Sequence, residues 1–169
     1  MKILVTGVNG QLGFDVVKQL NNRGHEAVGL DISGMDITDA ESVLNVFARV
    51  RPEAVVHCAA WTAVDAAEDN AEKARAVNVG GTENIAVACR KCGAKMVYIS
   101  TDYVFDGSGA QPWKTDDKAN PLGVYGKTKY DGEKAVKNLL DRYFIVRTAW
   151  VFGLNGNNFV KTMLNLGKK

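Results

Sequence analysis

Lys2-Ile3-Leu4-Val5-Thr6-Gly7-Val8-Asn9-Gly10-Gln11-Leu12-Gly13 is the stretch that decides how this chain of 169 residues is read. A short apolar strand that runs into glycines three apart and then into a helix is the sequence form of a dinucleotide-binding turn. Glycine is needed there for separate reasons: one lets the chain turn sharply, one lets backbone N–H groups approach a pyrophosphate, and one lets helix and strand pack closely. Asn9, Gln11 and Leu12 stand among them. The helix predicted from Gln11 to Arg23 then turns its positive end toward the phosphates. An ordinary strand–turn–helix carries the same glycines, so the segment by itself leaves both readings standing.

Outward from this turn, strand and helix signals alternate. Apolar strand runs appear at Lys2–Thr6, Glu26–Asp31, Ala54–His57, Lys95–Ser100 and Tyr143–Thr148, and helical patterns cover Gln11–Arg23, Asp39–Val50, Ala71–Cys92 and Leu122–Leu140. Gly24 and Gly93 stand where helix C-terminal caps belong, and Arg51-Pro52 closes the second helix. Strands rich in Val and Ile, apolar on both faces, suit a parallel sheet covered by helices on both sides: an α/β, doubly wound, Rossmann-like fold. The right-handed crossover rule favours the strand order 3-2-1-4-5. Ligands of such sheets bind beyond the carboxyl ends of the strands, and that edge carries Gly7–Gly13, Asp31, Ala59–Thr62 and Ser100–Asp102. The irregular segment from Thr101 to Pro121 is long enough to read as a functional or disordered loop.

Bulk properties narrow the class. A chain of 169 residues suits one domain that buries roughly 70% of its unfolded surface. Hydrophobic residues at 46% and charged residues at 24% are ordinary for a soluble globular protein, and a net charge of +2 gives no reason to invoke nucleic acid or membrane. Met1-Lys2 leads into a strand too short for a secretory signal, so a cytoplasmic location is expected. Cys89-Arg90-Lys91-Cys92 falls late in a helical pattern rather than at a helix start after a strand, which makes it two thiols on a helix rather than a redox motif. No second Cys or His pair completes a zinc site, and no metal is expected.

The residues with chemistry come next. Asp31 ends the second strand; an acid there either accepts hydrogen bonds from an adenosine ribose and opposes a 2′-phosphate, which leans to NAD over NADP, or is a solvated strand end. Asp36 and Ile37 are placed near the adenine. Tyr125 and Lys129, four apart on a helix that Asn120-Pro121 is expected to start, share a face. A tyrosine with its ordinary pKa near ~10 is a poor acid or base at neutral pH, and a neighbouring ammonium is expected to draw it down. The same ammonium suits a ribose hydroxyl. Thr101 ends the fourth strand at the edge that holds the glycines, where its hydroxyl can hydrogen-bond a carbonyl oxygen that Tyr125 protonates. Each part is common; their conjunction in this order is not.

With these pieces together, the chain resembles the extended short-chain dehydrogenase/reductases. The resemblance rests on Thr6–Gly13, Ala59-Ala60, Asn78-Val79-Gly80-Gly81-Thr82 and Tyr125-Gly126-Lys127-Thr128-Lys129. Within them it is most similar to the dTDP-4-dehydrorhamnose reductases, through Cys58–Asp65, Ser100–Gly107, Arg147–Gly153 and Asn157–Leu164. The resemblance implies reduction at C4 of a dTDP-linked 4-keto-6-deoxy-L-sugar with NADPH or NADH. It implies Tyr125 as proton donor, Lys129 as its electrostatic partner and ribose ligand, and Thr101 as donor to the carbonyl. It also implies a cofactor site over Gly7, Asn9, Gly10, Gln11, Leu12, Gly13, Asp31, Asp36, Ile37, Ala59, Ala60 and Thr62, and a nucleotide-sugar site over Val64, Thr101, Asp102 and Trp150. Members of the family usually continue into a smaller domain that grips the nucleotide-sugar. Residues 1–169 are thus expected to be the cofactor-binding half, with the substrate domain largely absent, nucleotide binding surviving better than turnover, and exposed apolar surface near Val151-Phe152 promoting a homo-oligomer.

Two other readings share the fold. A nucleotide-sugar epimerase or dehydratase carries the same Tyr/Lys pair, but such dehydratases typically place Asp-Glu after the strand-four threonine, whereas Tyr103 follows Asp102 here. The regulatory subunit of methionine adenosyltransferase, a non-catalytic relative, has a very similar helix around Tyr125–Ala135. Arg147-Thr148-Ala149-Trp150 and Asn157-Asn158-Phe159 fit the reductases better.

Overall fold

In the computed structural model, which describes residues 1–168, five parallel strands form one sheet: β1 Lys2–Thr6, β2 Glu26–Leu30, β3 Ala54–His57, β4 Lys95–Thr101 and β5 Tyr143–Thr148. The helices between them are α1 Gln11–Asn22, α2 Ala40–Val50, α3 Val64–Asp69, α4 Ala71–Arg75, α5 Thr82–Cys92 and α6 Val124–Leu139, and α7 Phe159–Leu166 follows β5. The doubly wound parallel sheet is as expected. Its order is not: the strands run β2-β1-β3-β4-β5, so β3 lies between β1 and β4 rather than outside β2.

Packing explains the correction. β3 is apolar on both faces, with Val55 and His57 fully enclosed, and both its ladder edges are bonded, to β1 and to β4. A strand of that composition belongs at the centre of a sheet. β2, with exposed Glu26 and Gly29, suits the edge. The chain therefore reverses direction between β1 and β3. Because crossovers are right-handed, the reversal puts α1 on one face and α2, α5 and α6 on the other. The main core lies under the second group and joins Leu4, Val55, Met96 and Tyr98 to Val43, Phe47, Ile85, Cys89 and Val136.

Three local findings bear on the site. The helix expected over Ala71–Cys92 is interrupted by a π-helical turn, Ala76–Gly81, that separates α4 from α5. α6 begins at Val124 behind Gly123, not behind Asn120. Asn120 instead donates through its backbone N–H to the Val104 carbonyl and through Nδ2 to Asp106, and the Glu68 carboxylate of α3 accepts the Val124 N–H at 2.8 Å. A carboxylate at a helix start satisfies an orphan donor and meets the positive end of the helix dipole. No helix among the described residues is long and apolar enough to cross a membrane.

Candidate active site

The reversal of strand order opens a cleft of about 1030 Å³ at the carboxyl edge of the sheet. Its first wall is the glycine turn. Gly7 has φ +71°, a conformation L side chains rarely adopt, and a Cβ there would stand 2.8 Å from the backbone of Ala59, where β3 leaves the sheet. A Cβ on Gly13 would come within 2.3 Å of the Gly7 carbonyl oxygen, so α1 packs against the turn only because residue 13 is glycine. Among the described residues no side chain caps the start of α1, and its first turn holds no acid. The N–H groups of that turn, at Gln11, Leu12 and Gly13, are left for an anion.

The second wall is the end of β2 and the segment after it. The Asp31 carboxylate accepts hydrogen bonds from Asn9 Nδ2 and the Ile32 N–H and lines the cleft. Asp36 also lines it, but its Oδ1 takes the backbone N–H and hydroxyl of Thr38, at 2.8 and 2.7 Å, which makes it first of all a local turn former. Ile37 is buried, and its side chain meets Gly81. Ala59, Ala60, Thr62 and Val64 form the floor beyond β3.

The third wall carries the reactive groups. Thr101, Asp102, Tyr125, Lys129 and Trp150 line the same cleft as the glycine turn. The Thr101 hydroxyl donates to Asp102 at 3.1 Å and accepts the Tyr103 N–H at 3.2 Å, on the same wall as the Tyr125 phenol. The Tyr103 ring meets the Tyr125 ring edge-on at 5.7 Å. Lys129 is almost wholly buried, its ammonium 4.2 Å above the Tyr98 ring. Burial, partly opposed by the Glu133 carboxylate, lowers its pKa from 10.5 to about 7. Every residue expected at a cofactor or sugar site thus borders one cleft.

One expectation has the wrong sign. The Tyr125 pKa is raised, chiefly by burial, with the Thr101 hydrogen bond opposing and Asp102 and Tyr103 adding to the rise. The Lys129 ammonium faces the Tyr98 ring instead of drawing the phenol down. The phenol keeps its proton at neutral pH.

This cleft, with a glycine turn on one side and a Thr/Tyr/Lys set on the other, is accompanied by a match of residues 1–169 to the family described as RmlD substrate binding domain. The chain belongs to that family. It is 48% identical over 164 residues to a dTDP-4-dehydrorhamnose reductase of Streptomyces griseus, an alignment covering 96% of this chain and 54% of that protein. Among solved structures, the dTDP-4-dehydrorhamnose reductase of Clostridium acetobutylicum superposes with TM-score 0.96 at 49% identity, over 99% of this chain and 60% of that one. That of Bacillus anthracis, solved in complex with NADP, gives 0.96 at 45%, over 99% and 59%. The chain spans about half to three-fifths of the length of these relatives.

Against this family frame, the sequence reading missed several groups near the site. Asn78, in the π-helical turn, accepts the Trp61 N–H at 2.8 Å and donates to the Thr128 hydroxyl at 3.0 Å, tying the cleft floor to α6. His57, Glu133 and Arg147 are enclosed beneath the site or half-enclosed at its edge. Asn78 and Arg147 stand in stretches that carry the family resemblance without a role read for them, and Glu133 stands four residues after Lys129 on the face that carries Tyr125.

Proposed function

We propose that this chain binds NADPH or NADH in the cleft and presents Thr101, Tyr125 and Lys129 to the C4 carbonyl of a dTDP-linked 4-keto-6-deoxy-L-sugar, for reduction to dTDP-L-rhamnose. The observation that supports it most is the enclosure of the glycine turn and these three side chains in one cleft. The residues fit a dinucleotide: glycine at 7 and 13 lets the turn close tightly on Ala59 and on α1, where a Cβ would strike backbone, and the uncapped start of α1 suits a pyrophosphate. The glycine turn would hold the pyrophosphate, Asp31 and Asp36 the adenosine half, and Lys129 the nicotinamide ribose. Bound there, the reduced nicotinamide supplies a hydride.

The chain's own groups do the rest. The Thr101 hydroxyl, turning its proton from Asp102, donates a hydrogen bond to the carbonyl oxygen, which polarises it. As C4 gains the hydride, the Tyr125 O–H gives its proton to that oxygen, leaving a phenolate beside Thr101. A raised phenol pKa is compatible with this role, because the donor must enter protonated and the oxygen it protonates becomes a far stronger base than phenolate. Val64 and Trp150 line the sugar side, and Trp150, at φ +54°, is held in strained backbone, which is where binding residues are often found.

Residues 1–169 are assigned the cofactor half of this reaction, in the cytoplasm, with the nucleotide-sugar as partner. Calorimetric titration with NADH and NADPH tests the site and the Asp31 lean together: binding to neither refutes the assignment, and tighter NADPH binding refutes the lean. Where cofactor oxidation with the dTDP-4-keto sugar is measurable, Tyr125→Phe is expected to lower the rate roughly 10²–10⁴-fold. An unchanged rate removes Tyr125 from the chemistry.

A further inference from the structure

One fully buried acid lies outside the groups that reach the cleft. Glu133 sits on α6, and its carboxylate is where three elements meet. Oε1 accepts hydrogen bonds from the Ser100 hydroxyl at 2.6 Å and from Arg147 Nε at 2.8 Å, and Oε2 accepts from Arg147 Nη2 at 2.7 Å. Ser100 and Arg147 are direct partners in the β4–β5 ladder, each one residue before the strand ends at Thr101 and Thr148. Tyr125, Lys129 and Glu133 are spaced by four along α6 and so lie on one face. The carboxylate therefore stands one helical turn beyond Lys129 and grips β4 immediately before Thr101. The Arg147 guanidinium lies 4.9 Å from the Phe105 ring, which stacks on Trp113 at 4.4 Å, so the loop after Thr101 rests on the same pair.

A buried ion pair adds little net stability over apolar groups of the same shape. Its place beneath the site offers a better reason. We propose that Glu133, clamped by Ser100 and Arg147, is a positioning residue that holds the Lys129 ammonium in place on β4, the strand that ends at Thr101. The proposal rests on the reading of Thr101 and Lys129 as working groups.

The electrostatics agree with the geometry. The titratable groups around Lys129 are His57 from β3, Cys58 just beyond it, Tyr98 from β4 and Glu133 from its own helix, with Tyr125 one turn before it on the same helix face. Burial keeps His57, Cys58, Tyr98 and Tyr125 uncharged near neutral pH. The Glu133 carboxylate is the negative charge that favours the ammonium.

The test is Glu133→Gln in the full chain, read by the pH titration of the Lys129 side-chain carbon resonance in isotope-labelled protein, assigned with Lys129→Arg, and by NADPH affinity from fluorescence. The Lys129 midpoint is expected about one pH unit lower, and NADPH Kd at pH 7 about fivefold higher. A residue that only supported the fold would lower the melting temperature and leave the midpoint in place. Ser100→Ala, which keeps both charges, is expected to leave the midpoint unchanged. Where Glu133→Gln fails to fold, the double variant E133Q/R147M leaves no buried charge unpaired; because it also removes the Arg147 cation, it is read against Arg147→Met, and an equal Lys129 midpoint in the two overturns the proposal. A folded variant whose Lys129 titrates as in wild type overturns the proposal. Failure of the wild-type chain to bind NADPH would refute the cofactor reading instead, while the titration still decides the role of Glu133.

Discussion

Acid is expected to destabilise this protein through one imidazole as well as through its carboxylates. His57 is enclosed between β1, β4 and α5, and both ring nitrogens are engaged, by the Thr6 hydroxyl at 2.8 Å and the Thr82 hydroxyl at 3.3 Å. Thr82 donates its own proton to the Asn78 carbonyl at 2.8 Å, so His57 Nε2–H must be the donor to Thr82. Thr6 accepts the Ala59 N–H at 3.1 Å and can then give its proton to Nδ1. A second proton on Nδ1 would break that chain, and burial, aided by the positive charge of Lys129, lowers the His57 pKa from 6.5 to about 3. Between those two pH values the unfolded imidazole binds a proton that the folded one refuses. Stability therefore rises with pH across that window and falls as acid is added. Taken from pH 7 to pH 5, the loss from His57 alone approaches about 2 kcal/mol, a large share of the ~5–15 kcal/mol that holds a typical domain. Urea unfolding of wild type and His57→Gln at the two pH values isolates it. The variant is less stable at pH 7 but loses about 2 kcal/mol less on acidification. Parallel pH dependences in the two proteins would refute the reasoning.

Two further outcomes follow from the same structure. Gly13→Ala places a methyl 2.3 Å from the Gly7 carbonyl oxygen, which pushes α1 off the turn at a cost of roughly 1–3 kcal/mol; NADPH affinity should fall by more than tenfold in a protein that still folds, and an unaltered Kd would remove the turn from the cofactor site. Phe144 and Val146 on the edge strand β5, with Phe152, Leu154 and Leu164 near and on α7, are exposed apolar groups, and α7 buries none of its residues. The chain should self-associate as concentration rises, and a monodisperse monomer in sedimentation at high concentration would show that this surface is tolerated in water.

What could be read in the sequence was whatever is decided locally. The glycine turn is legible because a positive φ and a close approach both demand the same residue, and Tyr125 with Lys129 because a helix puts residues four apart on one face. The strand order was not legible, since the place of β3 is settled by which neighbours enclose Val55 and His57, and those come from elements far along the chain. The start of α6 was misplaced for the same reason: its cap is supplied by Glu68, not by the adjacent Asn120. The direction of the Tyr125 shift needed the depth of burial, which spacing does not reveal.

The burial of Lys129 is itself a consequence of how closely α6 lies on the sheet. A Cβ on Gly132 would fall 2.4 Å from the Tyr98 hydroxyl, which donates to the Lys129 carbonyl at 3.2 Å. Glycine in a helix interior costs about 1 kcal/mol relative to alanine, so its presence there favours close approach over helix stability. Close approach lays the Lys129 ammonium on the Tyr98 ring and strips its water, which is why its pKa falls. On either side of that ammonium the helix is tied down, by Asn78 to the Thr128 hydroxyl and by Ser100 and Arg147 to Glu133. Ties so placed resist the one movement that would restore solvent to the lysine, a lifting of α6. For the proposed reaction that movement has to be prevented, and here the restraint is built mostly from groups outside the cleft lining: Asn78, Thr128, Glu133 and Arg147.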